Sequence, residues 1–224
     1  MKVLLFDIDG TLIRSGGAGK LALEKALNET FSLTNATADI DYGGRTDFSI
    51  VRELLELNEI EYSDKAKEAL LSSYCSILPD MMKECDSEVL PGVFKLLDSL
   101  KDSDKYALGI LTGNLRYSAN IKLKCLGLDS YFNFGGYGDA AESRNMIAEE
   151  AVQDARKHLT TSPKSFVVIG DTPKDVECAR HVKALAVAVA TGYASRESVI
   201  NSNPDHFLED LSDTEHVISL FEQA

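Results

Sequence analysis

The sequence predicts an α/β fold: a doubly wound, Rossmann-like parallel-sheet core, interrupted after its first strand by an all-helical insertion. Three observations carry this expectation. Residues 2–6 form a short apolar run that stops at Asp7, the pattern of a strand buried on both faces. From about residue 19 to residue 82, apolar residues recur at helical spacing with charges on the opposite faces, and no convincing strand occurs between Leu12 and Val89. From Pro91 onward, strand-like and helix-like segments alternate, as βαβ units require.

The elements follow in chain order. Leu21, Ala22, Lys25, Ala26 and Glu29 mark a first inserted helix; Val51, Leu54 and Leu55 mark a second; Ala66, Ala69, Leu70 and Tyr74 mark a third. Pro91-Gly92 opens a helix through Val93, Leu96, Leu97 and Leu100, since proline suits a first helical position. A strand at Tyr106 to Leu111 precedes a helix to about Leu126. Tyr131 to Phe134 reads as a weak strand and Ser143 to His158 as a helix. Ser165 to Ile169 is the strongest strand, followed by a helix from Thr172. Leu185 to Ala190 is another strand, and Thr214 to Phe221 a final amphipathic helix.

Composition narrows the function. The chain has 224 residues, with 23 Lys and Arg against 36 Asp and Glu, a net charge of −13. That balance opposes binding to nucleic acid or to an anionic membrane, both of which reward a basic face. No segment approaches the roughly 18 apolar residues of a membrane span. The four cysteines form no C-x-x-C pair, so the expectation is reduced thiols in a cytoplasmic protein.

The polar residues of interest sit at predicted strand ends. In an open α/β sheet, ligands bind beyond the carboxyl ends of the strands. The first strand runs into Asp7-Ile8-Asp9-Gly10-Thr11, the next into Thr112-Gly113-Asn114, and the strongest into Asp171-Thr172-Pro173-Lys174-Asp175. Alternate residues of an extended chain face the same side, so Asp7 and Asp9 can address one pocket. Thr112 to Asn114 read as a helix opening whose N–H groups suit an anion, or as ordinary capping. Thr172, Pro173 and Asp175 have the spacing of a capping arrangement, which gives Asp175 a structural role as well. Carboxylates converging on one pocket repel one another, and a hard divalent cation such as Mg²⁺ relieves that repulsion. A bound phosphate also calls for a protein cation: Arg144, Arg116 and Lys174 lie on the predicted ligand edge, whereas Lys157 and Lys164 lie on the other.

Taken in order, DIDGTL, LTGN and GDTPKD resemble the haloacid dehalogenase-like hydrolase superfamily, and within it the phosphoglycolate-phosphatase-type branch with a helical cap. The resemblance implies a core of residues 1–14 and 89–224 and a cap of residues 15–88. It implies a Mg²⁺-dependent phosphatase of a small phosphorylated metabolite. Asp7 would be the nucleophile and Asp9 the general acid and base. Thr112, Gly113 and Arg144 would hold the phosphoryl group, with Arg144 where relatives usually carry lysine. The metal would be held by Asp7, Asp9 through its backbone carbonyl, Asp171 and Asp175. Gly44, Arg45 and Thr46 match the cap loop that meets the substrate, and Arg45 would suit an anionic leaving group. A phosphomutase of the same superfamily is the alternative; a dehalogenase is less favoured, because such relatives typically lack the second aspartate present here as Asp9.

Overall fold

A computed structural model describes residues 1–37, 40, 42–139 and 143–224. Its centre is β1 (Lys2–Phe6), which pairs in parallel with β4 (Tyr106–Leu111) on one side and β6 (Ser165–Gly170) on the other. The six-stranded sheet has the order β5-β4-β1-β6-β7-β8, with β5 at Gly135–Gly136, β7 at Leu185–Val189 and β8 at His206–Leu208. Every pairing in it is parallel. Both faces are covered, which explains the unbroken apolar runs. Leu4 and Phe6 belong to one buried cluster and Val3 and Leu5 to another, as alternate residues of one strand must.

Among the described residues, three helices lie in the stretch 15–88: α1 (Ala18–Phe31), α2 (Asp47–Leu57) and α3 (Asp64–Glu84). Thr46 and Ser63 cap α2 and α3, each accepting a hydrogen bond from the backbone N–H three residues on. α1 packs on α3, and α3 on α5 (Arg116–Cys125) of the sheet layer. A two-stranded antiparallel ribbon, β2 (Ile13–Arg14) with β3 (Glu88–Val89), ties the two ends of this helical segment together. Sequence periodicity cannot reveal strands of two residues. The remaining helices are α4 (Val93–Lys101), α6 (Arg144–His158), α7 (Pro173–His181), α8 (Arg196–Asn201) and α9 (Thr214–Phe221).

Several expectations need correction. Tyr131 to Phe134 is not a strand: Asp129–Tyr131 is a single 3₁₀ turn and pairing begins only at Gly135. Phe134 packs so tightly over Gly109 that a Cβ there would collide with its ring, so this aromatic residue belongs to the packing rather than to a ladder. The helix after Pro91 begins at Val93, behind a left-handed Gly92 pressed against the Leu211 backbone. The short α8 and β8 carried no periodic signal.

The inserted helices dock onto the sheet at one polar junction. The backbone N–H of Asp47 donates to the Gly113 carbonyl at 2.8 Å. Its carboxylate accepts from the Leu115 N–H at 2.9 Å and the Ser118 hydroxyl at 3.0 Å, at the start of α5. Asp47 thus caps a helix of the other layer, where no local side chain does so. Asp47→Ala should lower stability by about 1.5–3 kcal/mol, the range for hydrogen bonds to a charged group, and should speed protease cleavage within residues 15–88. Chemical denaturation with limited proteolysis checks this; unchanged cleavage would disprove the docking role.

Candidate active site

The three strands whose ends carry the candidate motifs are neighbours. β1 lies between β4 and β6, with Phe6 in register with both Ile110 and Ile169. Asp7, Thr112 and Asp171 therefore emerge side by side, and the Asp7 N–H donates to the Ile169 carbonyl at 2.9 Å. They line a cavity of about 720 Å³ between the sheet edge and the inserted helices, together with Asp9, Gly44, Arg45, Gly113 and Arg144.

Ligand oxygens of Asp7, Asp171 and Asp175 lie within 4.8 Å of one another, and all three residues are buried. One Asp7 oxygen, Oδ1, has no hydrogen-bond partner among the described residues. Arg144, at the first position of α6, sends its guanidinium into this group, 3.5 Å from Asp7 Oδ1 and hydrogen-bonded to Asp175 Oδ1. Asp175 Oδ2 accepts from the Thr172 N–H at 3.0 Å and its hydroxyl at 2.6 Å, so Asp175 also fixes the start of α7. Thr11 donates to Asp171 at 3.1 Å. The backbone has been cut to fit these acids: a Cβ on Gly10 or Gly192 would collide with the Asp171 carboxylate.

One guanidinium does not balance three buried carboxylates. Burial pushes Asp7 up to about 7 against the pull of Arg144, with Asp175 and Asp9 adding to the rise. Burial, helped by Asp175 and Asp7, holds Asp171 well above the usual carboxylate range. Crowded oxygens, one of them without a hydrogen bond among the described residues, form a donor set that suits a hard divalent cation.

Asp9 lines the same cavity from another side. Its carboxylate is not part of the group of three; it accepts from Lys122 Nζ at 2.5 Å and from the Asn114 amide at 2.8 Å. Burial raises its pKa, but Lys122 and the hydrogen bonds from Lys122, Asn114 and Ser15 bring it below the usual value. Asn114 is therefore no helix cap. α5 begins later, at Arg116, behind Leu115, which gives no side-chain cap. Gly113 lies directly under the Arg45 carbonyl and beside Arg144, where a Cβ would collide with the former. Gly44 adopts φ 62, and the cavity runs along Gly44 and Arg45. Thr46 is buried and its hydroxyl is used in capping α2. Arg45 is bound to Glu53 by an ion pair. Of the rival cations, Lys174 pairs with Glu177 and Arg116 with Glu150, both about half exposed.

Sequence reasoning overlooked Lys122. It is almost fully buried, 6% exposed at the side chain, and is clamped between Asp9 and the Asn114 carbonyl oxygen at 2.7 Å. Burial works against its charge, yet Asp9 and Asp47 keep its pKa above the ordinary lysine value. The available signal was its spacing: Ser118 and Lys122 are four apart, on the face of α5 that also buries Ala119 and Leu123. A lysine in a buried stripe needs a partner. The docking bond of Asp47 joins residues 68 positions apart and carries no local signal.

The chain is similar to known proteins in sequence and in fold. The family model described as "Haloacid dehalogenase-like hydrolase" matches residues 4–189. The chain is similar to a phosphoglycolate phosphatase from Synechococcus elongatus, 30% identical over 220 residues and 95% of each chain. It is also similar to the pyrophosphatase PpaX from Anoxybacillus flavithermus, 25% identical over 214 residues, covering 95% of this chain and 94% of that one. Its fold is shared by a hydrolase from Pseudomonas syringae, with a TM-score of 0.72 and 22% identity over 98% of this chain and 99% of the other. CbbY from Rhodobacter sphaeroides, solved in complex with phosphate, gives a TM-score of 0.68 at 15% identity, covering 95% and 96%.

Two outcomes are expected. A carboxyl with a higher pKa in the fold keeps its proton where the unfolded chain has lost it, so this group costs the metal-free protein stability as pH rises from about 4 to about 7. Asp7→Asn in chelator should then raise the Tm more near pH 8 than near pH 5.5, by about 2–4 °C for each kcal/mol relieved. Thermal melts at both pH values decide it, and an Asn variant that melts lower near pH 8 would refute the crowding. Lys122→Met leaves Asp9 partly buried without its cation and should cost about 1–3 kcal/mol. A denaturant midpoint equal to that of the parent protein would contradict it.

Proposed function

This chain belongs to the haloacid dehalogenase-like hydrolase family, and from that premise we propose that it is a magnesium-dependent phosphatase of a small phosphorylated metabolite, working through an aspartyl-phosphate on Asp7. The observation that carries the proposal is a buried Asp7 oxygen without a hydrogen-bond partner among the described residues, within a group of three buried carboxylates and beside a guanidinium. Relatives named as a phosphoglycolate phosphatase and a pyrophosphatase support the reaction class. Residues 15–88 serve in this reading as a cap over a core of residues 1–14 and 89–224.

The residues divide the work. Asp7 attacks phosphorus in line and the bond to the leaving oxygen breaks, giving the acyl phosphate; water then attacks phosphorus and restores the carboxylate. Arg144 and the Thr112–Gly113 segment orient the phosphoryl oxygens, and the fixed Arg144 guanidinium meets developing negative charge without reorganising. Asp9 protonates the leaving oxygen and then accepts a proton from water. At rest Asp9 is held as an anion by Lys122, the form the second half-reaction needs, and a phosphate arriving beside it raises its proton affinity for the first. Asp7, Asp171, Asp175 and the Asp9 backbone would hold Mg²⁺. When bound, the ion neutralises the carboxylates and the phosphoryl charge. The docked insertion encloses the site and limits access of water.

Phosphate release from small phosphomonoesters should require Mg²⁺ and stop with chelator, and Asp7→Asn should lower kcat by more than about 10³-fold. Arg144→Ala should cost about 10²–10³-fold in kcat, while Lys174→Ala, on an exposed ion pair, should stay within about threefold. Retained turnover in Asp7→Asn would overturn the nucleophile, and the reverse order of the two cation variants would overturn the phosphate clamp.

A further inference from the structure

The cavity extends past the reacting centre toward the inserted helices, and its far wall has a definite character. Leu23, Ile40 and Ile50 make it apolar, and Gly17 and Gly19 leave it open. A Cβ on Gly17 would meet nothing within 4 Å, and one on Gly19 only the Tyr74 hydroxyl at 3.8 Å and Lys122 Nζ at 3.9 Å. The leaving group, expelled from phosphorus as Asp7 attacks, would occupy this half of the cavity.

Two ammonium groups face that space. Lys122 spends two of its three N–H donors on Asp9 and Asn114, and the third has no protein acceptor among the described residues. Lys20 follows Gly19 on α1 and lines the same cavity. Among the described residues it makes no ion pair, only a contact 6.0 Å above the Tyr42 ring. Arg45, the cation that the sequence suggests for an anionic leaving group, is paired with Glu53. Among the cavity-lining cations, Lys174 is paired with Glu177 and Arg144 with the catalytic acids. Asp47, which also lines the cavity, already accepts from Leu115 and Ser118. In a chain of net charge −13, a pocket wall that among the described residues offers uncommitted ammonium donors and no uncommitted carboxylate selects for negative charge.

We infer that Lys20, together with the spare donor of Lys122, is the specificity-determining contact of this site, binding an oxyanion carried by the leaving group itself. The inference rests on the phosphatase reading above. The shared chemistry is a second anionic centre a few bonds from the scissile phosphate, either a carboxylate or a second phosphate. Lys20 reaches it from the insertion and Lys122 from the core, so the substrate bridges the two layers when bound.

The test measures kcat/KM with Mg²⁺ for 2-phosphoglycolate and inorganic pyrophosphate, with p-nitrophenyl phosphate and glycerol 3-phosphate as uncharged-leaving-group probes. The parent protein should prefer at least one anionic probe, and which one separates a carboxylate from a phosphate as the ligand. Lys20→Met should lower the ratio of anionic to uncharged kcat/KM by about 10–100-fold, the range of one charge-assisted hydrogen bond. The loss should appear chiefly in KM, and Lys20→Arg should recover most of it. Arg45→Met should move the ratio less than Lys20→Met. A ratio unmoved in Lys20→Met, or moved more by Arg45→Met, would overturn the inference while leaving the phosphatase reading intact. No phosphate release from any of the four probes, in parent and variants alike, would instead defeat the phosphatase reading on which the inference stands.

Discussion

Charge crowding at the end of the central strand is the constraint to which the rest of this structure answers. Parallel pairing of β1 with both β4 and β6 leaves no freedom over what emerges beside Asp7: Thr112 on one side, Asp171 on the other, with Asp175 a turn beyond. Burying several carboxylates together is costly unless something compensates. Arg144 compensates in part, its guanidinium spanning Asp7 and Asp175. The glycines at positions 10 and 192 exist where they do because the Asp171 carboxylate occupies the space a side chain would need. The remaining imbalance is visible in the upward displacement of Asp7 and Asp171, and it is the physical basis for affinity toward a hard cation and a phosphoryl group.

The two aspartates of the first motif, two residues apart, have opposite electrostatic settings. Asp7 is pushed toward its neutral form by burial and by neighbouring acids, whereas Asp9 is drawn below its ordinary pKa by Lys122. Environments that pull paired carboxyls apart are how one site obtains two roles from one residue type. The separation here comes from direction: Asp7 looks across the sheet edge to α6 and α7, and Asp9 looks toward α5.

α5 joins this site to the helical insertion. Its N-terminus is held by Asp47 from α2, its buried face contributes Lys122 to the cavity, and α3 packs along it. Together with the ribbon of β2 and β3, these contacts hold the insertion over the carboxylates. The same arrangement builds the far wall of the cavity from α1, which is why a residue as early in the chain as Lys20 shares a pocket with Asp171.

The order of the main elements, and the three strand ends that carry the chemistry, could be read from the chain because each rests on local patterns: apolar runs of strand length, helical spacing, and acids placed just past a run. The nature of Asp175 as a helix-start residue was legible for the same reason. Tyr131 to Phe134, the ribbon at residues 13–14 and 88–89, and the short β8 were misread or missed, because two- or three-residue ladders carry no period and an aromatic residue packs as well in a turn as in a strand. Partnership was not legible at all. That Lys122 belongs to Asp9, Asp47 to the start of α5, Arg144 to Asp7 and Asp175, and Arg45 to Glu53 depends on separations through space between residues up to 137 positions apart in the chain, such as Asp7 and Arg144. The chain by itself determined which kinds of group stand at the sheet edge. Only the tertiary structure decided which charges neutralise one another and which remain uncommitted, because electrostatic pairing falls off with distance in space and takes no account of distance along the sequence.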